Sequence, residues 1–124
     1  KKKKISGRQY AFPDVFRRES GSVTHFTMIK NYPVQGFATG DIVPVVLLEF
    51  EKLLEPLQSC LVNTVHDSMV IDVHPDEVQK VLTIVENINE NLNCVIKDAY
   101  DIEMNVPLLL EAKIGKNWLD TMDV

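Results

Sequence analysis

His66, Asp67 and Ser68 stand side by side in the stretch LVNTVHDSMVIDVHPD, residues 61–76. They bring together an imidazole, a carboxylate and a hydroxyl, the groups of a hydrolase triad. Their adjacency argues against that use. Side chains of consecutive residues point away from one another, so nucleophile, base and orienting acid cannot line up. What remains is one carboxylate in a short polar break. Apolar runs flank the break at Cys60–Val65 and Met69–Val73, rich in Val, Ile and Thr and short enough to be strands. Three polar residues between two such runs read as a β-hairpin with a tight turn and Asp67 at its tip. Turn chemistry is the plain account of such an Asp. The chemical account is a carboxylate supported from below and open above, a position that suits a divalent cation. Asp72 and Glu111 are the further acids that a metal-dependent phosphotransferase could use. Asp72 is a weak co-ligand, because five residues of extended chain span about 16 Å.

The elements that must carry this tip follow from periodicity. A first helix is expected over Pro33–Leu54, with Pro33 at the first helical position and Pro44 kinking the interior. Within it, Gly36 and Gly40 lie one turn apart on one face. Asn31 caps this helix in the plain reading, and Gln35 is then an exposed helical residue. A second helix opens at His74-Pro75-Asp76-Glu77, with acids at its positive end. Val78, Val81, Leu82, Val85, Ile88, Leu92 and Val95 repeat along it as a core-facing stripe. Before the first helix, Gln9–Phe12 reads as a short strand stopped by Pro13 and followed by a loop. After the second, 98–104 reads as a loop and Pro107–Ile114 as a last strand, with Trp118 anchoring the tail. The expected fold class is α+β: an antiparallel sheet built on the central hairpin plus the C-terminal strand, packed on one face by two helices. The expected division is a basic lead-in of residues 1–32 and a main part of residues 33–124.

Composition is that of an ordinary globular domain, with 45% hydrophobic and 25% charged residues in 124. No apolar run approaches the ~20 residues of a membrane span, and no signal peptide is apparent. Cys60 and Cys94 match no metal-ligand spacing and read as reduced core thiols of a cytoplasmic protein. The net charge of −5 is unevenly distributed. Residues 1–30 hold eight Lys or Arg and two acids, a net of +6; residues 31–124 hold five Lys and sixteen acids, a net of −11. The lead segment could track a phosphate backbone, although Lys1–Lys4 read more simply as a mobile, solvated arm. The acidic remainder is by itself a poor non-specific nucleic-acid binder.

Several segments, in order, carry a resemblance to family A DNA polymerases. Val65-His66-Asp67 and the apolar strand after it resemble the family's Val-His-Asp-Glu hairpin. Asn31-Tyr32-Pro33-Val34-Gln35-Gly36 resembles its Asn-x-Pro-x-Gln-Gly helix start. Val106-Pro107-Leu108 and Gly115-Lys116-Asn117-Trp118 resemble its Val-Pro-Leu and Gly-x-Asn-Trp segments, and Gly7-Arg8 leading to Pro13-Asp14 resembles its Gly-Arg to Pro-Asp run. The resemblance spans residues 7–118 and implies the C-terminal part of a polymerase palm, within an enzyme that extends a DNA primer on a DNA template.

On that resemblance Asp67 is the catalytic aspartate and a ligand of a two-magnesium site. A second aspartate, on an Asp-Tyr-Ser strand, and the basic fingers helix that grips the deoxynucleoside triphosphate lie outside this sequence. Asn31 and Gln35 are implied contacts of the primer–template minor groove, where amides can check base-pair shape, and His66 is implied to support the primer terminus. The fingers, thumb and remaining palm are the implied protein partners, and the fragment alone is expected to be inactive. The sequence departs from the family at three places. Ser68 replaces the usual Glu, which reduces it to a hydrogen bond with a metal-bound water. Thr27 stands where the family has an arginine. Asp41 falls six residues after Gln35 rather than five, so no role is carried over to it. Ser68 and the run Gly-Phe-Ala-Thr-Gly resemble bacteriophage members. The alternative function is a non-catalytic DNA- or protein-binding module of polymerase-derived fold.

Overall fold

A computed structural model describes residues 5–124. The expected mobile arm, Lys1–Lys4, lies outside them. The chain forms two units, one up to Pro44 and one from Val45 to Val124.

The first unit opens on a single 3₁₀ turn, Ile5–Gly7, with Ser6 and Gly7 in the left-handed region at φ 52° and 73°. Residues 8–12 pair with no strand, contrary to the strand expected there; their hydrogen-bonding and ring partners lie on a helix instead. A tight loop around Gly21 is closed by a bridge between Arg17 and Val23. The buried Thr24 hydroxyl fastens it by accepting the Phe16 N–H at 3.0 Å. Helix α1, Phe26–Phe37, then starts well before the expected Pro33. Pro33 is therefore inside α1, and Asn31 is mid-helix and caps nothing. The early start escaped the sequence because residues 23–30 show no apolar period, and because a proline suited to a first turn is also tolerated inside a helix when neighbours compensate.

The irregularity expected at Pro44 takes a different form. A π turn, Ala38–Ile42, follows α1, and the Val43 N–H reaches back five residues to the Ala38 carbonyl. Pro44 has no N–H to give the Gly40 carbonyl four residues earlier. Arg8 Nη2 donates to that carbonyl at 3.0 Å.

Helix α2, Val43–Leu54, continues across the unit boundary and buries Val46, Phe50 and Leu54, one residue per turn. Strands β1, Cys60–Val65, and β2, Ser68–Asp72, pair antiparallel. A bulge at Val62 shifts the register by one residue. A 3₁₀ turn, Pro75–Glu77, leads into α3, Val78–Tyr100, which ends on Asp101 in the left-handed region. Val81, Ile88, Leu92 and Ile96 of α3 complete the buried apolar set of this unit with the three residues of α2. The chain is thus α+β, as expected, but its strands form two separate sheets. The last strands, β3 (Lys113–Gly115) and β4 (Thr121–Asp123), pair with each other, and the long strand expected over Pro107–Ile114 does not join the hairpin. Asn89 satisfies the backbone of Leu110 through both its amide oxygen and its amide nitrogen, replacing strand pairing there. The Gly-x-Asn-Trp segment forms the β3–β4 turn. A Cβ on Gly115 would meet the Asp120 carbonyl, and the Asn117 side chain accepts the N–H groups of Leu119 and Asp120 at 2.9 Å. Trp118 is 65% exposed and anchors nothing. Cys60 and Cys94 are exposed free thiols rather than core residues. Cys94 lies two residues from both Leu92 and Ile96, on the opposite side of α3.

Candidate functional site

Val65 pairs directly with Ser68, so the hairpin loop is two residues long, His66-Asp67, and not the three-residue break expected. Ser68 is the first residue of β2, and its hydroxyl donates to the Val65 carbonyl at 2.9 Å. Its oxygen lone pairs remain able to accept. His66 takes the left-handed conformation, φ 56°, at the first loop position. That position ordinarily favours glycine, and a non-glycine residue there costs on the order of 1 kcal/mol. The tip carries three exposed polar side chains, His66, Asp67 and Ser68. Beneath it is a cleft whose walls include Phe50, Met69, Ile71, Val81 and Leu82, with Asp67, Ser68, Glu111 and Lys113 also among its lining residues. Among the described residues no group of three His, Cys, Asp or Glu is gathered to hold a metal ion. Asp72 pairs with Cys60 at the opposite end of the hairpin, so it does not join Asp67.

The open end of the hairpin is fastened by a buried carboxylate. Glu77, 6% exposed, accepts the Gln58 N–H at 3.0 Å, the Ser59 N–H at 2.9 Å and the Ser59 hydroxyl at 2.7 Å. The Ser59 oxygen in turn accepts the His74 N–H at 3.0 Å. One side chain from the turn after β2 thus holds the residues before β1. The Ser59 hydroxyl bond holds the Glu77 carboxyl below its usual range; burial opposes the shift, and the two backbone N–H groups and Lys80 add to it.

In the first unit, Asn31 and Gln35 lie one helical turn apart on α1, both exposed. Neither side chain is engaged by another described residue, so each amide is free to donate and to accept. Thr27 and Thr39 continue the same row. Thr39 back-bonds to the Gln35 carbonyl at 2.8 Å, leaving the Gln35 side chain untouched. The hairpin-tip residues and this row belong to different units, and each set stands on its own unit.

Two residues to which the sequence assigned no such part hold buried charge. Glu77 read as a helix-start acid; nothing local signals that it closes the hairpin 18 residues back. Asp41, 5% exposed, accepts Arg8 Nη2 at 2.6 Å, Arg8 Nε at 3.1 Å and the Ser6 hydroxyl at 2.5 Å. Burial pushes its carboxyl up, but these hydrogen bonds and the guanidinium charge outweigh it and hold the group below its usual range. Its six-residue offset from Gln35 was visible. The π turn between them holds one extra residue, so Asp41 keeps the angular relation that a five-residue offset has in a regular α-helix.

A family model described as DNA polymerase family A matches residues 1–120. The DNA polymerase I, thermostable, of Thermus filiformis is 31% identical over 117 residues, covering 94% of this chain and 13% of that protein. The DNA polymerase of Bacillus phage SP01 is 36% identical over 94 residues, covering 75% of this chain and 10% of that protein. The DNA polymerase I of a Synechocystis strain is 28% identical over 90 residues, 73% of this chain and 8% of its own length. The chain therefore spans about a tenth of the length of the curated relatives it matches. No solved structure matches it.

Proposed function

The chain belongs to DNA polymerase family A, and from that premise we propose that it is part of the palm of a template-directed DNA polymerase, with Asp67 as a catalytic metal ligand. The observation that carries the proposal is the position of Asp67: an exposed carboxylate on a two-residue loop, on a hairpin whose base is closed by Glu77. Such a carboxylate fits a magnesium ion, which keeps several waters and takes one or two protein carboxylates alongside substrate phosphates. Among the described residues no group of three His, Cys, Asp or Glu forms around Asp67, although Glu111 lines the same cleft, so the proposal takes further protein ligands from elsewhere in the polymerase. When bound, the metal supplies stabilisation of charge on the attacking and leaving oxygens.

This chain's own residues have distinct parts in that proposal. Asp67 donates negative charge at a fixed height above the sheet. Ser68, its proton engaged by Val65, keeps oxygen lone pairs that would accept a hydrogen bond from a water on the bound metal. His66 places its imidazole beside the primer terminus. Asn31 and Gln35 offer uncommitted amides to the minor-groove edges of primer–template base pairs, whose acceptors occur at every pair. Primer–template DNA and a deoxynucleoside triphosphate are the substrates. Among the described residues no helix is long and apolar enough to cross a membrane.

The test uses the complete polymerase that carries this chain. Asp67→Asn keeps shape and removes charge. Turnover should fall by several orders of magnitude while DNA affinity, set by phosphate contacts elsewhere, stays nearly constant. Ser68→Ala should cost about 1 kcal/mol, the size of one neutral hydrogen bond. Full turnover in Asp67→Asn would overturn the assignment and leave a non-catalytic binding module as the reading of this chain.

A further inference from the structure

Asp41 has no part in that reading, yet it carries a buried charge fastened by two residues more than thirty positions away. The segment Arg8–Phe12, which belongs to no helix or strand, runs along α1 and the π turn in a regular register. Arg8 meets Gly40 and Asp41. The Tyr10 hydroxyl lies where a Cβ on Gly36 would be. The Tyr10 and Phe12 rings stand edge-on to Tyr32 at 5.9 and 5.7 Å. Steps of two residues on the segment thus match steps of four on the helix. The lengths agree, because two extended residues cover about 6.6 Å and four helical residues about 6 Å. Gly36 and Gly40 provide the close approach. The segment acts as a splint: Ser6 and Arg8 hold the C-terminal side of the π turn, and Tyr10 and Phe12 hold the N-terminal side.

A splint matters there because a π turn is not fixed by its own ladder. It is one surplus residue, and any neighbouring turn can absorb that residue with similar hydrogen bonding. If the surplus moves upstream past Gln35, every residue it passes rotates by about 100° about the helix axis. Gln35 then leaves the row it shares with Asn31. We propose that Asp41, clamped by Arg8 and Ser6, is a positioning residue that pins the π turn at Ala38–Ile42 and so keeps Asn31 and Gln35 on one row facing the DNA. The DNA-facing role rests on the function proposed above; the pinning rests on the contacts of the splint.

The experiment measures KM for primer–template and kcat in the complete polymerase for Gln35→Ala, Asp41→Asn and the double variant, with Arg8→Lys as a second probe. Lys keeps the charge but loses the fork that engages both Asp41 and Gly40. Gln35→Ala should raise KM about tenfold, the effect of one lost base-edge contact. Asp41→Asn and Arg8→Lys should each raise it several-fold with kcat little changed. The decisive value is the double variant: if Asp41 acts through Gln35, it is no worse than Gln35→Ala alone. Independent, multiplying effects would overturn the positioning role, because a general loss of stability would have no reason to vanish when Gln35 is absent. An effect of Gln35→Ala with none from either Asp41→Asn or Arg8→Lys would overturn it too, while leaving the DNA-contact reading intact. No effect of Gln35→Ala would instead overturn that reading, and the positioning role with it. Should Asp41→Asn fail to fold, the coupling of Arg8→Lys with Gln35→Ala decides in the same way.

Discussion

His66 holds the hairpin tip in a conformation that glycine would adopt at lower cost. His66→Gly should therefore raise the denaturation midpoint of the 124-residue chain, by about 1 kcal/mol of stability. The same change in the complete polymerase should lower primer extension, because the imidazole is lost. Greater stability with lower activity would show that the residue is kept for its side chain. An unchanged midpoint would mean that the left-handed geometry costs this turn nothing. The tip was largely legible in the sequence, because β-branched runs on both sides of a polar break specify a hairpin. The loop length was not. Ser68 is polar whether it turns or pairs, and only its bond to Val65 across the loop assigns it to β2. Asp41 and Glu77 were illegible for a related reason: each carboxylate is defined by partners 18 to 35 residues away, and no local pattern encodes them.

Among the elements, the hairpin and α3 depend on the Glu77 fastening. Both buried carboxyls, Glu77 and Asp41, are held below the ordinary range in the folded chain. A depressed folded value contributes stability above the unfolded value, near pH 4, and that contribution is lost as pH falls through the folded value. Stability should thus be level around neutrality and drop on acidification below about pH 4. Glu77→Gln should flatten part of that drop while lowering stability at pH 7, as read by melts across pH; an unaltered acid profile would remove Glu77 as its source. In α3, Ile96 is fully buried, and Ile96→Ala should cost about 3 kcal/mol in a denaturant titration. The α3 stripe was readable because its period repeats over six turns, except at its end, where Ile96 is buried and the expected Val95 is only half-buried. α1 was not, because its apolar residues follow no stripe and the segment buries its glycine row under Tyr10 and Arg8 rather than under a second apolar face. The strand expected over 107–114 failed because pairing is decided by a partner. Asn89 takes the Leu110 backbone, and only the last residues of that run find β4.

For the whole chain, the proposed metal ligand Asp67 and the row of Asn31 and Gln35 fall on separate units, and the described acids gather into no group of three that could hold a metal. The 124-residue chain alone should therefore show no template-dependent primer extension, and calorimetry should give magnesium binding no tighter than millimolar, as for one carboxylate and water. Micromolar binding would reveal further ligands for Asp67 within the 124 residues. The Glu77 fastening also bears on how the chain folds. Everything it encloses is local: two strands, a two-residue loop and one 3₁₀ turn lie between Ser59 and Glu77, a separation of 18 residues. Closing so short an interval carries a small loop entropy, and hairpins form in roughly 1–10 μs. The hairpin with the first turns of α3 is thus placed to form early, as a nucleus that needs no residue of the first unit. In stopped-flow chevrons, Glu77→Gln should slow the folding limb more than it speeds the unfolding limb, whereas Asp41→Asn should act on unfolding alone.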